Sequence, residues 1–418
     1  MNNSYGWLAK LPAISPRRVK MSRTPWLREV SRLGFVRQAL ARILANPPRS
    51  HYAGARSITH RMRMKVSWFH EYGGPDVLVC EETKTPVPGP GEALVRVRAT
   101  GVNHVDIDVR AGTSRVPIRF PHILGREFAG EIAALGRPLE ASARGGSPLQ
   151  PGTLREGDRV WVSCRLPCGR CEFCISGRDN LCEQGGYFGM DLPGGYAQYV
   201  TVPVSTLNPL ANTVGFEQAA ASQIAFGTAW HVLITRGALR AGQTVLIQAA
   251  GSGIGSAAVQ LARLAGATVI ATAGSADKLE RARQLGAHHL INYRTEPKFS
   301  EQVMAMTAGR GVDLVMEHVG GNLFTESLAC LCIDGTMVTV GGHGGEVVPF
   351  DIIPFFRRQL KLVGSKNASI AELREVMGLI AQGRLAPVID TVFPLEEAAR
   401  AHALVESRAF FGKVVLSC

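Results

Sequence analysis

The sequence holds no apolar stretch of bilayer length. The nearest, Ala219 to Ile234, is interrupted by Ser222, Gln223 and His231, which excludes a membrane span and leads us to expect a soluble protein. Acidic residues are scarce at one end: residues 1–63 carry 13 Lys or Arg and a single acid, Glu29. The other 355 residues hold 33 basic and 33 acidic side chains, so the net charge of +12 belongs wholly to that end. A body of zero net charge offers no basic face, and no nucleic-acid partner is expected. Internal repeats are lacking too, which leaves no repeat architecture to consider.

What is present suits two domains. With 418 residues, 46% of them hydrophobic, and 46 glycines, the chain reads as a turn-rich α/β enzyme with two cores. The basic segment 1–63 is set apart as an N-terminal extension outside the fold. Within it, Trp26 to Ala45 interleaves Leu27, Val30, Leu33, Leu40, Ile43 and Leu44 with Arg28, Arg32, Arg37 and Arg42. Such a basic amphipathic pattern suits an organellar targeting peptide or a membrane-surface helix. An over-extended reading frame is the other reading, since Met62 and Met64 stand just before a strand-like pattern begins.

From 64 to 210 the pattern is β-rich: EALVRVRAT, GDRVWVS and YAQYVTV alternate between Gly and Pro turns. Residues 137–154, rich in Gly, Pro and Ser, read as a surface loop. From 211 to 365 strands and helices alternate. QTVLIQA, ATVIATA, HHLINY, VDLVMEHV and GTMVTVGG read as buried parallel strands, LKLVGS as a sixth, with helices between them. This is the pattern of a doubly wound, nucleotide-binding parallel sheet. Residues 366–418 add a helix and a closing strand, GKVVLS.

Cys168, Cys171, Cys174 and Cys182 fall at the spacing C-x2-C-x2-C-x7-C. A tight loop can gather three thiolates around one point, and a short return brings in the fourth, giving an all-sulfur tetrahedral shell suited to one structural zinc. Such a closed shell leaves no position for substrate. Two disulfides are the alternative. Crowded thiols surviving as ligands imply a reducing compartment, and a cytoplasmic location is expected unless residues 1–63 direct the chain to an organelle. Arg170 and Arg178 are placed to offset the remaining thiolate charge.

Between the first strand and first helix of the doubly wound region lies AAGSGIG. Gly251, Ser252, Gly253, Ile254 and Gly255 are the candidates for holding a dinucleotide pyrophosphate on free amides at the helix start. The second strand ends in Thr272-Ala273-Gly274-Ser275 with no acid at its tip. An acid there would hold the ribose 2′-hydroxyl of NAD. Ser275 and Lys278 can instead donate to a 2′-phosphate, with Tyr293 closing the third strand nearby, so NADP(H) is the expected cofactor.

GVNHVD, ILGREFAGEI, the cysteine quartet, GGYAQYVTVP, AGSGIG and the terminal GKVVL together resemble the medium-chain dehydrogenase/reductase superfamily. The resemblance covers Met64 to Cys418. It implies a GroES-like β-rich catalytic domain at 64–210, completed by 366–418, and a Rossmann NADP-binding domain at 211–365, with the active site between them. It also implies a homodimer or homotetramer acting on a small molecule. Thr228 resembles the threonine beside the nicotinamide, and Val340 and Gly342 the backbone that meets the carboxamide. The positions that hold catalytic zinc in the alcohol dehydrogenase branch read Asn103, Arg126 and Ile224, none a usual ligand. Losing the metal while keeping an asparagine is similar to the quinone and enone reductase branches.

The catalytic candidates are therefore Asn103, His104, Asp108 and Arg126. Asn103 is expected to donate to the oxyanion, Arg126 to supply fixed positive charge, and His104 or Asp108 to deliver a proton. Competing roles are cofactor binding for His104, a brace for Asp106 and an Arg126–Glu127 pair. His318 and His343 lie within reach of the cleft. The expected activity is NADPH-dependent hydride transfer to a quinone or an α,β-unsaturated carbonyl. The alternatives are an alcohol or aldehyde dehydrogenase with an unidentified polarising group, and a non-catalytic NADPH- or nucleic-acid-binding protein.

Overall fold

The strand Glu92–Val102 organises the first half of the structure. Along its outer edges it pairs antiparallel with Glu127–Leu135 on one side and with Tyr199–Pro203 and then Lys413–Ser417 on the other. Arg159–Val162 and Leu207–Pro209 extend the sheet beyond Glu127–Leu135, and Ile389–Pro394 extends it beyond Lys413–Ser417. The inward-facing positions of these alternating strands, among them Val95, Val97, Phe128, Ile132, Val160 and Val202, form one buried cluster. A three-stranded sheet, Val79–Lys84, Arg63–Phe69 and His122–Ile123, lies beside it. The computed structural model describes residues 62–138 and 154–418, all within one compact unit, Gly54–Cys418. The readings of the basic N-terminal segment, up to residue 61, and of the loop core, 139–153, lie outside the described residues.

The second half is a six-stranded parallel sheet. From edge to edge its strands are His289–Asn292, Thr268–Ala273, Thr244–Ile247, Val312–Glu317, Leu331–Thr339 and Lys361–Gly364. The order reverses between Thr244–Ile247 and Val312–Glu317, and that switch point is where a doubly wound sheet opens a crevice at its strand ends. The inner strands are covered on both faces, so Val245, Leu246, Ile247, Val269 and Ile270 are all buried. Helix Gly253–Leu264 packs closely because its inner face is made of Gly255, Ala257, Ala258 and Ala262.

The return to the β-rich half comes later than residue 366. Helix Ile370–Ala381 buries Leu373, Val376, Met377 and Ile380 in the same core as Phe226, Ala229 and Ile247 of the parallel-sheet half. The crossing back is made by Ile389–Pro394 and Lys413–Ser417, which pair in parallel.

Candidate functional site

The site grows from the turn that follows Glu92–Val102. Asn103 caps helix His104–Ala111, and Asp106 folds back to accept from the Asn103 amide at 2.8 Å and the Gly125 amide at 3.2 Å. Asp106 is fully buried. Loss of solvent raises its carboxyl to about 6, against the pull of those two amides and of Arg126. Gly125 is required here: its φ is +99°, and a Cβ would stand 2.6 Å from the Tyr196 ring. Asp106 thus ties the GVNHVD turn to the GREF segment.

On the far side of that turn, Lys413 reaches in from the last strand. Its Nζ donates to Glu127 Oε1 and Asn103 Oδ1, each at 2.7 Å, and to the Val102 carbonyl at 2.9 Å. Glu127 Oε1 also accepts from Asn103 Nδ2 at 3.0 Å, and Oε2 from the Ile224 amide at 2.8 Å. The expectation of a free Asn103 amide for substrate therefore needs correction. Its strong donor contact is to Glu127, with a longer one of 3.5 Å to the Gly101 carbonyl. Glu127 pairs with Lys413 and not with Arg126, because neighbouring residues entering a strand project to opposite faces. From the sequence Glu127 is read only as a partner for Arg126, and Lys413 is not singled out; its one signal is the basic residue in GKVVL.

Arg126 lies against Tyr187, its guanidinium carbon 4.7 Å from the ring centroid. A second guanidinium, of Arg165, sits 4.6 Å from the same ring and donates to the Asn180 carbonyl at 2.7 Å and to the Tyr187 hydroxyl.

Histidines from both halves meet in the cleft. The rings of His104 and His343 are 5.0 Å apart, and His343 Nδ1 is 3.9 Å from Asp108 Oδ2. Burial, then the charge of His343, lowers His104 to about 4, so its imidazole is neutral at pH 7. His318 is held at about 4 by the same two causes in the same order. Its Nε2 lies 3.1 Å from the Ser252 hydroxyl, and its Nδ1 is buried with no partner. Burial raises Asp108 despite the proximity of His343. The sequence candidates His104, Asp108, His318 and His343 are thus gathered together.

The glycine loop fits a pyrophosphate. A Cβ on Gly255 would come within 2.3 Å of the Ala249 carbonyl, so only glycine allows this approach of helix and strand. Ser252 caps the helix by accepting from the Gly255 amide at 2.9 Å, while the preceding helix amides lack intrahelical partners. Lys278 packs across Gly251, and its Nζ donates to the Arg408 carbonyl at 2.6 Å. Burial, then Arg294, holds Lys278 below the usual lysine value. At the tip of the second strand, a Cβ on Gly274 would meet Tyr293 Oη at 2.8 Å and Arg294 Nε at 3.0 Å. Arg294, adjacent to a residue already chosen, is a basic group that sequence reading missed. Thr228 is buried in Gln223–Trp230. The Val340 amide donates to the Glu317 carbonyl, and the Glu317 carboxylate accepts from the amides of Val319 and Gly320 at 2.7 Å each, shaping the strand-end loops that carry Val340, Gly342 and His318.

The four sulfurs of Cys168, Cys171, Cys174 and Cys182 lie within 4.8 Å of one another. Individual separations of 3.5 and 3.9 Å bracket the roughly 3.8 Å edge of a tetrahedral zinc–thiolate shell. The donor set is compatible with zinc, and all nine cysteines are free of disulfides. Backbone amides of Arg170 and Cys171 draw Cys168 down to about 6. Arg178, expected to offset thiolate charge, instead lies over Phe173 and donates to Ser176. Among the described residues this is the only group of three or more Cys, His, Asp or Glu drawn together as ligands. Likewise, no helix among them is long and apolar enough to cross a membrane.

A GroES-like β half, a doubly wound half and a cleft between them define a dehydrogenase or reductase of the medium-chain class. Residues 89–212 match the alcohol dehydrogenase GroES-like domain family, and residues 253–382 the zinc-binding dehydrogenase family. The chain belongs to the medium-chain dehydrogenase/reductase superfamily and is an oxidoreductase. A quinone oxidoreductase from Rattus norvegicus is 30% identical over 368 residues, spanning 86% of this chain and 99% of that protein. An NAD-dependent alcohol dehydrogenase from Sulfolobus acidocaldarius is 30% identical over 361 residues, spanning 84% and 99%. The solved structure of an NAD-dependent alcohol dehydrogenase matches with a TM-score of 0.79 at 38% identity, covering 85% of this chain and 100% of that one.

Proposed function

We propose that this enzyme reduces a quinone or an α,β-unsaturated carbonyl with NADPH, and that zinc at the four cysteines serves the fold alone. One observation carries the reading. The three positions matching catalytic zinc ligands hold Asn103, spent between Glu127 and Lys413, the cation Arg126, and Ile224, which offers only a backbone amide. That set repels a divalent ion. A quinone or enone needs less polarisation than a simple ketone, since the charge left by hydride addition is delocalised.

NADPH, when bound, supplies the hydride. Gly251 to Gly255 would hold its pyrophosphate, Ser275, Lys278, Tyr293 and Arg294 its 2′-phosphate, and Thr228, Val340 and Gly342 its nicotinamide end. Neutral His104 donates a hydrogen bond to the oxygen that gains charge. The proton that completes the reduction comes from solvent through His343 and Asp108, the exposed end of the histidine group. Asn103 and Asp106 act as positioning residues. The free edge of Lys361–Gly364, with exposed Leu362, Ile352 and Phe356 nearby in sequence, suits association of two copies. A cytoplasmic location accords with the free thiols.

The test is metal content per chain, with NADPH oxidation assayed against quinones and enones before and after mild chelation. One zinc and chelation-resistant turnover are expected; two zincs, or activity lost on chelation, overturn the reading. The 38% identical alcohol dehydrogenase structure favours a second reading, alcohol oxidation with NAD⁺. Turnover of simple alcohols with NAD⁺ and none of enones with NADPH would establish it.

A further inference from the structure

Arg126 is a buried charge whose Nε has no hydrogen-bond partner. It is only 7% exposed, and none of its nitrogens joins a hydrogen bond or ion pair among the described residues. Arg165, 4% exposed, also leaves its Nε unpartnered. Both guanidiniums lie against the Tyr187 ring, 4.7 and 4.6 Å from its centroid, and neither forms an ion pair among the described residues.

The nearby acids are already engaged. Asp106 is held by the amides of Asn103 and Gly125. Glu127 is paired with Lys413. Asp179 accepts from the Ile370 amide with both oxygens. Burying an unpaired guanidinium is costly, and its fork of donors matches a carboxylate or phosphate better than any other group. Arg126 enters the strand beside Glu127, and its charge acts on buried Asp106, the carboxylate that ties this segment to the Asn103 turn. The ring supports it: Tyr187 is fixed by Arg165 and by Asn367, whose Nδ2 donates to the hydroxyl at 3.0 Å.

We infer that Arg126, backed by Tyr187 and Arg165, is a seat for an anionic group of the substrate, a carboxylate or a phosphate. Resting on the reductase reading, this narrows the substrate class to acids or phosphate esters that carry the reducible double bond. A neutral quinone would leave the seat empty.

The test uses the full chain with saturating NADPH, comparing 4-oxopent-2-enoate with its methyl ester. The wild type is expected to favour the acid in kcat/KM by about tenfold or more, the scale of one charge-assisted contact. Arg126→Gln is expected to bring the ratio near one through KM for the acid, and Arg126→Lys to restore part of it. In parallel, calorimetric titration of the NADP⁺-loaded chain with succinate and with inorganic phosphate is expected to detect binding that Arg126→Gln abolishes. Binding of one anion and not the other tells a carboxylate from a phosphate substrate. Equal reduction of acid and ester, with neither anion bound, overturns the seat while leaving the reductase standing. Anion binding that depends on Arg126, with neither compound reduced, upholds the seat and overturns the reductase. If Arg126→Gln fails to fold, the wild-type titrations and Arg126→Lys decide the matter.

Discussion

Lys413 and Glu127 form an ion pair with Nζ and Oε1 2.7 Å apart, their side chains 7% and 0% exposed. The pair joins the last strand of the chain to the strand entering the site, and Asn103 bridges it. The stem of Lys413 also rests on the cofactor loop, where a Cβ on Gly253 would meet its Cδ at 2.7 Å. One lysine thereby holds the cofactor loop against the substrate half. Replacing it by Met leaves a buried carboxylate uncompensated, at a cost of about 3–5 kcal/mol. Chemical denaturation of Lys413→Met checks this, and a loss under about 1 kcal/mol would mean that water or another cation replaces the ammonium.

The cysteine lobe makes a different demand. Asn180, two residues before Cys182, donates to the Lys366 carbonyl at 3.0 Å, and Asp179 caps helix Ile370–Ala381. The lobe is thus stitched to the parallel-sheet half. Removing the proposed zinc with a strong chelator is expected to lower the melting temperature by several degrees and to leave the turnover of still-folded enzyme within about twofold. Thermal melts and residual activity on one chelated sample separate a fold role from a catalytic one.

The proposed preference for NADPH rests on the tip of the second strand. Lys278 and Arg294 stand there with Ser275 and Tyr293, and Gly274 lets them close in. Arg294→Glu places an acid where a 2′-phosphate would lie. It is expected to lower kcat/KM for NADPH at least about tenfold, with NADH affected far less. Equal losses with both cofactors would remove Arg294 from the phosphate site.

Much of this arrangement was legible in the residues. The cysteine quartet, the glycine loop and the alternation of strands and helices are local patterns, each set by neighbours within one or two turns of chain. What escaped depends on partners distant in sequence. Lys413 acquires its role only because the last strand returns beside Glu92–Val102. Tyr187 against two arginines is a product of packing, and no spacing announces it. The helix at 370–381, grouped with the β-rich half from the sequence, packs with Phe226 and Ala229; its apolar face reads the same whichever core it covers. Asn103 was taken for a free donor because an acid and a lysine that consume it lie on other strands.

Buried neutral histidines set the pH response. His402 is fully buried, with Nδ1 3.3 Å from Arg110 Nη1 and Nε2 3.0 Å from the Tyr196 hydroxyl. Burial, then Arg110, lowers its pKa to about 3. In the unfolded chain it takes up a proton near pH 6.5. Its contribution to stability is therefore complete above that value and is lost progressively as pH falls toward 3, at about 1.4 kcal/mol per pH unit. His104 and His318, lowered to about 4, act in the same direction. Asp106 opposes them: raised to about 6, it protonates first in the folded state and favours folding as pH drops from about 6 toward 3.8. Three histidines outweigh one carboxyl, so stability is expected to fall between about pH 6.5 and 4. From about pH 7 to 5, His402 alone accounts for roughly 2 kcal/mol. Urea unfolding of wild type and His402→Gln at both values measures that share. A variant with the same pH slope as wild type would show that His402 takes up its proton at the same pH folded and unfolded.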